Sequence, residues 1–256
     1  MAVLVTGGSE GIGLELARCF ARDGHDLVLV ARHQQRLDEA AAELSINGPA
    51  VHVIAADLGV EGEPARVLDE IRRRGLAVDV LVNNAGYGLH GDFVETPLGV
   101  ETSMIRLNVE ALVVLSKGLL PEMRARGSGG ILNVGSVAGF QPGPLMAIYY
   151  ATKAFVLSFS EALSEELRGS GVKVCVLCPG PTDTGFQRRA GVGRTLFSSG
   201  GMSPAKVARI GYVGFNAGRR VVIPGMGNFL LTVLVRLAPR RWVTHIVRGL
   251  QEKRRR

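Results

Sequence analysis

The chain has 256 residues, 46% of them apolar, enough for one large domain or two small ones with a true core. Its net charge of +7 is unevenly placed: residues 219–256 hold ten Lys/Arg against one acid, and residues 1–218 hold twenty against twenty-two, which excludes a nucleic-acid groove in the body. Three cysteines, the lack of an uncharged apolar run of about 18 residues and a first strand beginning at Ala2 argue against a disulfide framework, a spanning helix and a signal segment, so a cytoplasmic location is expected.

Val3-Leu4-Val5-Thr6 reads as a short strand, followed by Gly7-Gly8-Ser9-Glu10-Gly11-Ile12-Gly13 and a helical pattern at Leu14, Leu16, Ala17 and Phe20. Strand, glycine-rich turn and helix in that order make a dinucleotide-binding entry. The glycines let backbone approach a pyrophosphate, and the helix N-terminus supplies amides and a positive dipole. Asp26 to Ala31 is a second strand, and Arg32 follows it where an NAD-binding chain usually has an acid. A guanidinium there suits a 2′-phosphate, so NADP(H) is expected over NAD(H).

Residues 33–46 give a helix, 50–56 a third strand ending at Asp57, and 63–74 a charged helix. Val78 to Val82 is a fourth strand running into Asn83-Asn84-Ala85-Gly86. One long helix is predicted over 99–126; Asn108 lies in it among apolar residues, either as structural glue or as a site residue. Ile131 to Ser136 reads as a buried strand ending in small residues. The next helix, to about Arg168, carries Tyr149 and Lys153 four apart on one face. An ammonium beside a phenol favours phenolate, so Lys153 is expected to draw the Tyr149 pKa down from about 10. A Ser136 hydroxyl at the strand end can bond the oxygen that the tyrosine protonates.

A sixth strand spans 172–178. Its Cys175 and Cys178 invite a metal or redox reading that strand geometry rejects, since positions three apart face opposite ways. No metal site is expected. Pro179-Gly180-Pro181-Thr182-Asp183-Thr184 follows, then a lid over about 185–202 with little periodicity. Ser203-Pro204 opens a helix to about Gly218, and Arg220 to Ile223 is a seventh strand. Strand–helix alternation with apolar strands predicts an α/β fold, a doubly wound parallel sheet of about seven strands with helices on both faces.

Placed together, these pieces resemble the short-chain dehydrogenase/reductase family. The matching motifs are Thr6-Gly7-x-x-x-Gly11-Ile12-Gly13, Asp57, Asn83-Asn84-Ala85-Gly86, Asn108, Ser136, Tyr149-x-x-x-Lys153 and Pro179-Gly180. The resemblance covers residues 1–185, not 219–256. It implies a Rossmann-type fold and a nicotinamide-dependent oxidoreductase interconverting a carbonyl and an alcohol. Tyr149 would be the acid/base, Ser136 would hold the carbonyl, Lys153 would bond the nicotinamide ribose, and Asn108 would position a water linking Lys153 to solvent. Gly7, Ser9, Gly11, Ile12 and Gly13 would line the phosphates, Asp57 would meet the adenine, Asn84 the nicotinamide ribose and Thr184 the carboxamide. Ala85, Gly86, Pro179 and Gly180 would complete the cofactor site. Glu10 stands where many NADP-preferring relatives carry a base, so the 2′-phosphate site would rest on Arg32 and its neighbours. The implied partners are a small-molecule substrate and a second copy or more of the chain, as a homodimer or homotetramer. A catalytically idle scaffold is the rival reading; the presence of all four catalytic residues argues against it.

Residues 1–224 would be the catalytic domain and 225–256 a basic amphipathic extension. In the extension an apolar run to Ala238 is broken at Pro239, and Trp242, Val243, Ile246, Val247 and Leu250 recur at helical spacing. Two readings stay open. The apolar face packs on the domain or a second subunit, or it lies on an anionic membrane, where the enzyme would be a docked lipid or 3-ketoacyl reductase.

Overall fold

In the computed structural model, which describes residues 2–46, 48–186, 190 and 201–252, strand and helix alternate from the start. The strands are β1 (Ala2–Thr6), β2 (Asp26–Ala31), β3 (Val51–Ala55), β4 (Val78–Asn83), β5 (Gly130–Val134), β6 (Lys173–Leu177) and β7 (Val221–Val222). The helices are α1 (Gly11–Arg22), α2 (Gln34–Leu44), α3 (Glu63–Arg73), α4 (Leu98–Ile105), α5 (Ala111–Arg126), α6 (Ala147–Glu166), α7 (Pro204–Asn216), α8 (Met226–Leu237) and α9 (Arg240–Glu252). One seven-stranded sheet runs in the order β3-β2-β1-β4-β5-β6-β7, with every neighbouring pair parallel. This is the doubly wound Rossmann-type architecture expected. Of the predicted lid over about 185–202, residues 187–189 and 191–200 lie outside the described residues.

Both faces of the sheet are covered, which is why the strands are apolar throughout rather than alternating. Val3 and Val5 of β1 pack with Leu16 and Phe20 of α1 and Leu37 of α2. Leu4, between them, packs on the other face with Val67 of α3 and Leu115 of α5. Each of these side chains contributes about 1.5–3 kcal/mol on burial, and truncating Leu4 to Ala would cost about 2–5 kcal/mol. Cys175 and Cys178 fall in different packing clusters, Cys175 with Leu132 and Leu177, Cys178 with Val156 and Val176. Burial pushes both thiols up to about 12, so neither is a ready thiolate.

The long helix over 99–126 is a correction. It is not one α-helix: α4 and α5 are joined by a single π-helical turn, Arg106–Glu110, with Asn108 at its centre. One residue is added to the turn, so the helical register shifts by about 100° there. Hydropathy period does not register such an insertion when the flanking residues are apolar on both sides. The extension forms α8 and α9, split at Pro239 as expected.

Candidate active site

The order of strand addition reverses between β1 and β4, and the carboxyl ends of those parallel strands open a crevice. On the β1 side stands the glycine turn. Gly7 has φ +65, a conformation glycine adopts freely, and a Cβ on Gly13 would lie 2.3 Å from the Gly7 carbonyl oxygen. The first turn of α1 therefore sits directly against the end of β1, and Gly11-Ile12-Gly13 present its N-terminus to the crevice beside Ser9. β4 braces the turn: the Thr6 hydroxyl accepts from the amides of Asn84 and Ala85, each at 3.0 Å. The Asn84 side chain donates to the carbonyls of Thr6 (2.9 Å) and Gly7 (3.1 Å). Thr184 packs its methyl toward Gly11 from across the cleft.

At the end of β2, Arg32 lies exposed, its guanidinium 3.9 Å from the Asp57 carboxylate that follows β3. Arg36 pairs with Glu10 at 3.4 Å. The acid in the glycine turn is thus neutralised by a neighbour on α2. The Arg32 pairing is longer and solvent-exposed.

On the far side, Ser136 stands two residues past the end of β5. Its hydroxyl accepts from the Ala138 amide at 3.1 Å, and the Val137 amide is held by the Pro179 carbonyl at 3.0 Å. This ties β5 to the turn after β6. Tyr149 and Lys153 project from the first two turns of α6, 9% and 6% exposed. The Lys153 ammonium donates to the Val134 carbonyl at 2.8 Å and lies 5.9 Å from the Tyr149 ring centroid.

The expected effect of Lys153 on Tyr149 is a second correction. Burial pushes the Tyr149 phenol above its ordinary value, opposed only in part by a hydrogen bond with Ser136. Burial also brings Lys153 down, to about 8. Lys153 does not offset this, its ammonium being held on the Val134 carbonyl. Tyr149 accordingly keeps its proton at neutral pH.

Asn108, 2% exposed, is held on all sides. Its oxygen accepts from the Tyr87 amide at 3.2 Å, and its nitrogen donates to the Tyr87 carbonyl and the Thr152 hydroxyl, each at 3.0 Å. Thr152 in turn donates to the Tyr149 carbonyl at 2.7 Å, so the π-turn is locked to α6. A cavity of about 10 Å³, close to the space of one water, is lined by Asn108, Lys153, Asn83 and Thr6.

Sequence reasoning missed Thr152, and it missed a buried chain beneath the site. Asn83 donates to Ser116 (3.2 Å) and Asn133 (2.9 Å), and Asn133 donates to Ser160 (2.9 Å), which joins β4 and β5 to α5 and α6. Asn133 is the one polar residue inside the apolar run of β5, a signal that was available. Tyr150, one residue from Tyr149, points elsewhere: its hydroxyl accepts from Gln251 of α9 at 2.9 Å. Around the Tyr149 ring lie Met104, Met146, Tyr87, Leu89 and Phe186, an apolar wall with the Phe186 ring 5.3 Å away.

The short chain dehydrogenase family model matches residues 1–193. A short-chain dehydrogenase from Sphingobium yanoikuyae, solved in complex with NADPH, is 38% identical with a TM-score of 0.82, covering 92% of this chain and 93% of that one. The bulky-bulky ketone specific alcohol dehydrogenase from Comamonas testosteroni is 33% identical with a TM-score of 0.78, covering 92% of each. Sulfoacetaldehyde reductase 2 of Chromohalobacter salexigens is 38% identical over 208 residues, 80% of this chain and 79% of that protein.

Proposed function

This chain belongs to the short-chain dehydrogenase/reductase family and is an oxidoreductase, and we propose that it is an NADP(H)-dependent reductase of apolar ketones or aldehydes, with Tyr149 as the proton donor. The observation that carries this reading is a buried, protonated phenol beside Lys153 and Ser136, walled by apolar side chains at the mouth of a dinucleotide crevice.

The turn fits the cofactor's phosphates because only glycine lets it close: a Cβ at Gly7 or Gly13 would lie 2.7 or 2.4 Å from the Asn84 side-chain amide nitrogen, so α1 brings its N-terminus right up to the strand ends. Gly7, Ser9, Gly11, Ile12 and Gly13 hold the phosphates, Arg32 the 2′-phosphate and Asp57 the adenine. Asn84, Ala85 and Gly86 line the ribose, with Pro179, Gly180 and Thr184 across from them. When bound, NADPH supplies the hydride. Ser136 donates a hydrogen bond to the carbonyl oxygen and fixes it beside the phenol. Tyr149 gives its proton to that oxygen as negative charge develops there, a step typically worth about 10²–10⁴ in rate. Lys153 would bond the ribose; it returns a proton to the Tyr149 phenolate by way of that ribose hydroxyl and regains its own from water in the pocket it shares with Asn108.

The apolar ring of Met104, Met146, Tyr87 and Phe186 favours a bulky apolar carbonyl over a small anionic one. The relative specific for bulky ketones supports that choice, and the sulfoacetaldehyde reductase supports the other. Profiling NADPH oxidation over aromatic, steroid, keto-acyl and sulfonated carbonyls tests it. Turnover confined to the charged substrates overturns the apolar assignment.

A further inference from the structure

We propose that α8 and α9 form a docking face for an anionic lipid bilayer at the rim of the active-site cleft. The first observation is that α8 is turned inside out. Its inward side carries Asn228 and Thr232, while Met226, Phe229, Leu230, Val233, Leu234 and Leu237 recur at helical spacing on the exposed side. A helix packed on a water-soluble domain does the reverse. In α9, Val243 and Val247 are buried, and Trp242, Ile246 and Leu250 stand exposed four residues apart, Trp242 at 61%.

Charge is the second observation. Arg240 and Arg241 flank these apolar stripes and are exposed, and residues 219–256 hold ten Lys/Arg against one acid. Apolar side chains with arginines at their borders suit the boundary between acyl chains and anionic headgroups. A second copy of this chain is disfavoured as the occupant, because each copy brings the same cations to the interface. The helices have 12 and 13 residues, about 18–20 Å each, too short to cross the roughly 30 Å of a bilayer core, so they lie on it.

Position is the third. Asn228 packs on Gly180, Arg236 lies over the Phe140 ring just after Ser136, and Gln251 bonds Tyr150 and His90. The face is therefore fastened to the edge of the substrate cleft. It stands apart from the chemistry proposed above, and its test reads no turnover.

Trp242 is the chain's single tryptophan and reports the contact directly. The full chain is mixed with vesicles of phosphatidylcholine alone, or with about one-third phosphatidylglycerol, and followed by sedimentation and Trp emission. The expected result is co-sedimentation with a blue shift on the anionic vesicles, at least about tenfold weaker on the neutral ones and weakened by about 0.5 M salt. Leu230→Ser with Leu234→Ser, at exposed positions, should keep the thermal midpoint and lose at least about tenfold in vesicle binding. Arg240→Gln with Arg241→Gln should narrow the gap between the two vesicle types. Four results overturn the proposal: no association; equal binding to both vesicles; salt-sensitive association without a blue shift, which leaves only a polyanion contact such as an acidic protein would make; or a blue shift that follows protein concentration without lipid, which assigns the face to a second copy.

Discussion

The glycine turn and the extension are both glycine- or leucine-rich stretches beside the same cleft, yet they are held in opposite ways. At the turn, backbone and small polar groups interlock: Thr6, Asn84 and Gly7 exchange hydrogen bonds between 2.9 and 3.1 Å, and Gly13 leaves no room for a Cβ. In α8 and α9 a few anchors, Asn228, Val243, Val247 and Gln251, face inward, and the larger apolar side chains face out. A site that must hold one ligand geometry is over-determined by its own backbone. A surface that meets a soft or fluid partner needs composition more than geometry.

Breaking the over-determined side should show the largest effects. Tyr149→Phe should lower carbonyl reduction by about 10²–10⁴ with NADPH affinity changed by no more than about threefold, since the phenol lies outside the phosphate cradle. Tyr150→Phe, whose hydroxyl is taken by Gln251, should retain turnover within about threefold. The reverse pattern in steady-state rates would exchange their roles. Next in size, Arg32→Ala should weaken NADPH binding by about 1.5–3 kcal/mol and leave NADH nearly unchanged. Calorimetric titration of both cofactors decides it, and a wild type that favours NADH contradicts the 2′-phosphate assignment.

How much of this was legible without coordinates follows the same division. The alternation of strands and helices, the turn and the Tyr149/Lys153 pair were readable because each is fixed within a few residues of chain, by period, by glycine placement or by i, i+4 spacing. The π-turn at Asn108 was not, because one inserted residue leaves the apolar composition of the helix unchanged. The raised Tyr149 pKa was missed for a related reason: sequence shows that a lysine is near, but not that the phenol is buried. In the extension, the amphipathic period was visible. Which stripe faces inward was not, since Asn228, Thr232 and Gln251 as inward residues run against hydropathy.

Burial of Lys153 makes a pH-dependent prediction of intermediate size. Between its folded value of about 8 and the ordinary 10.5, the unfolded chain holds a proton that the folded chain has lost. Stability therefore rises with pH across that window. Relative to Lys153→Met, the wild type should gain about 2 kcal/mol between about pH 7.5 and about pH 9.5 in urea melts. A difference flat in pH would mean that the lysine remains charged. The smallest effect belongs to the loosely held side. Gln251→Ala removes the hydrogen bond from α9 to Tyr150 and should cost about 1 kcal/mol, read as faster amide exchange in α9 than in α6. Equal exchange in both helices would show that the extension opens only with the whole fold.

The central claim is that Tyr149 delivers a proton to a carbonyl reduced by NADPH in this cleft. A single-turnover experiment tests it most directly, with enzyme in excess over NADPH and a bulky apolar ketone present, in wild type and Tyr149→Phe side by side. The account predicts loss of NADPH absorbance with stoichiometric alcohol in the wild type, and bound but unoxidised NADPH in the variant. Equal rates of NADPH loss in the two proteins, or NADPH bound by the wild type and oxidised by no carbonyl, would contradict it.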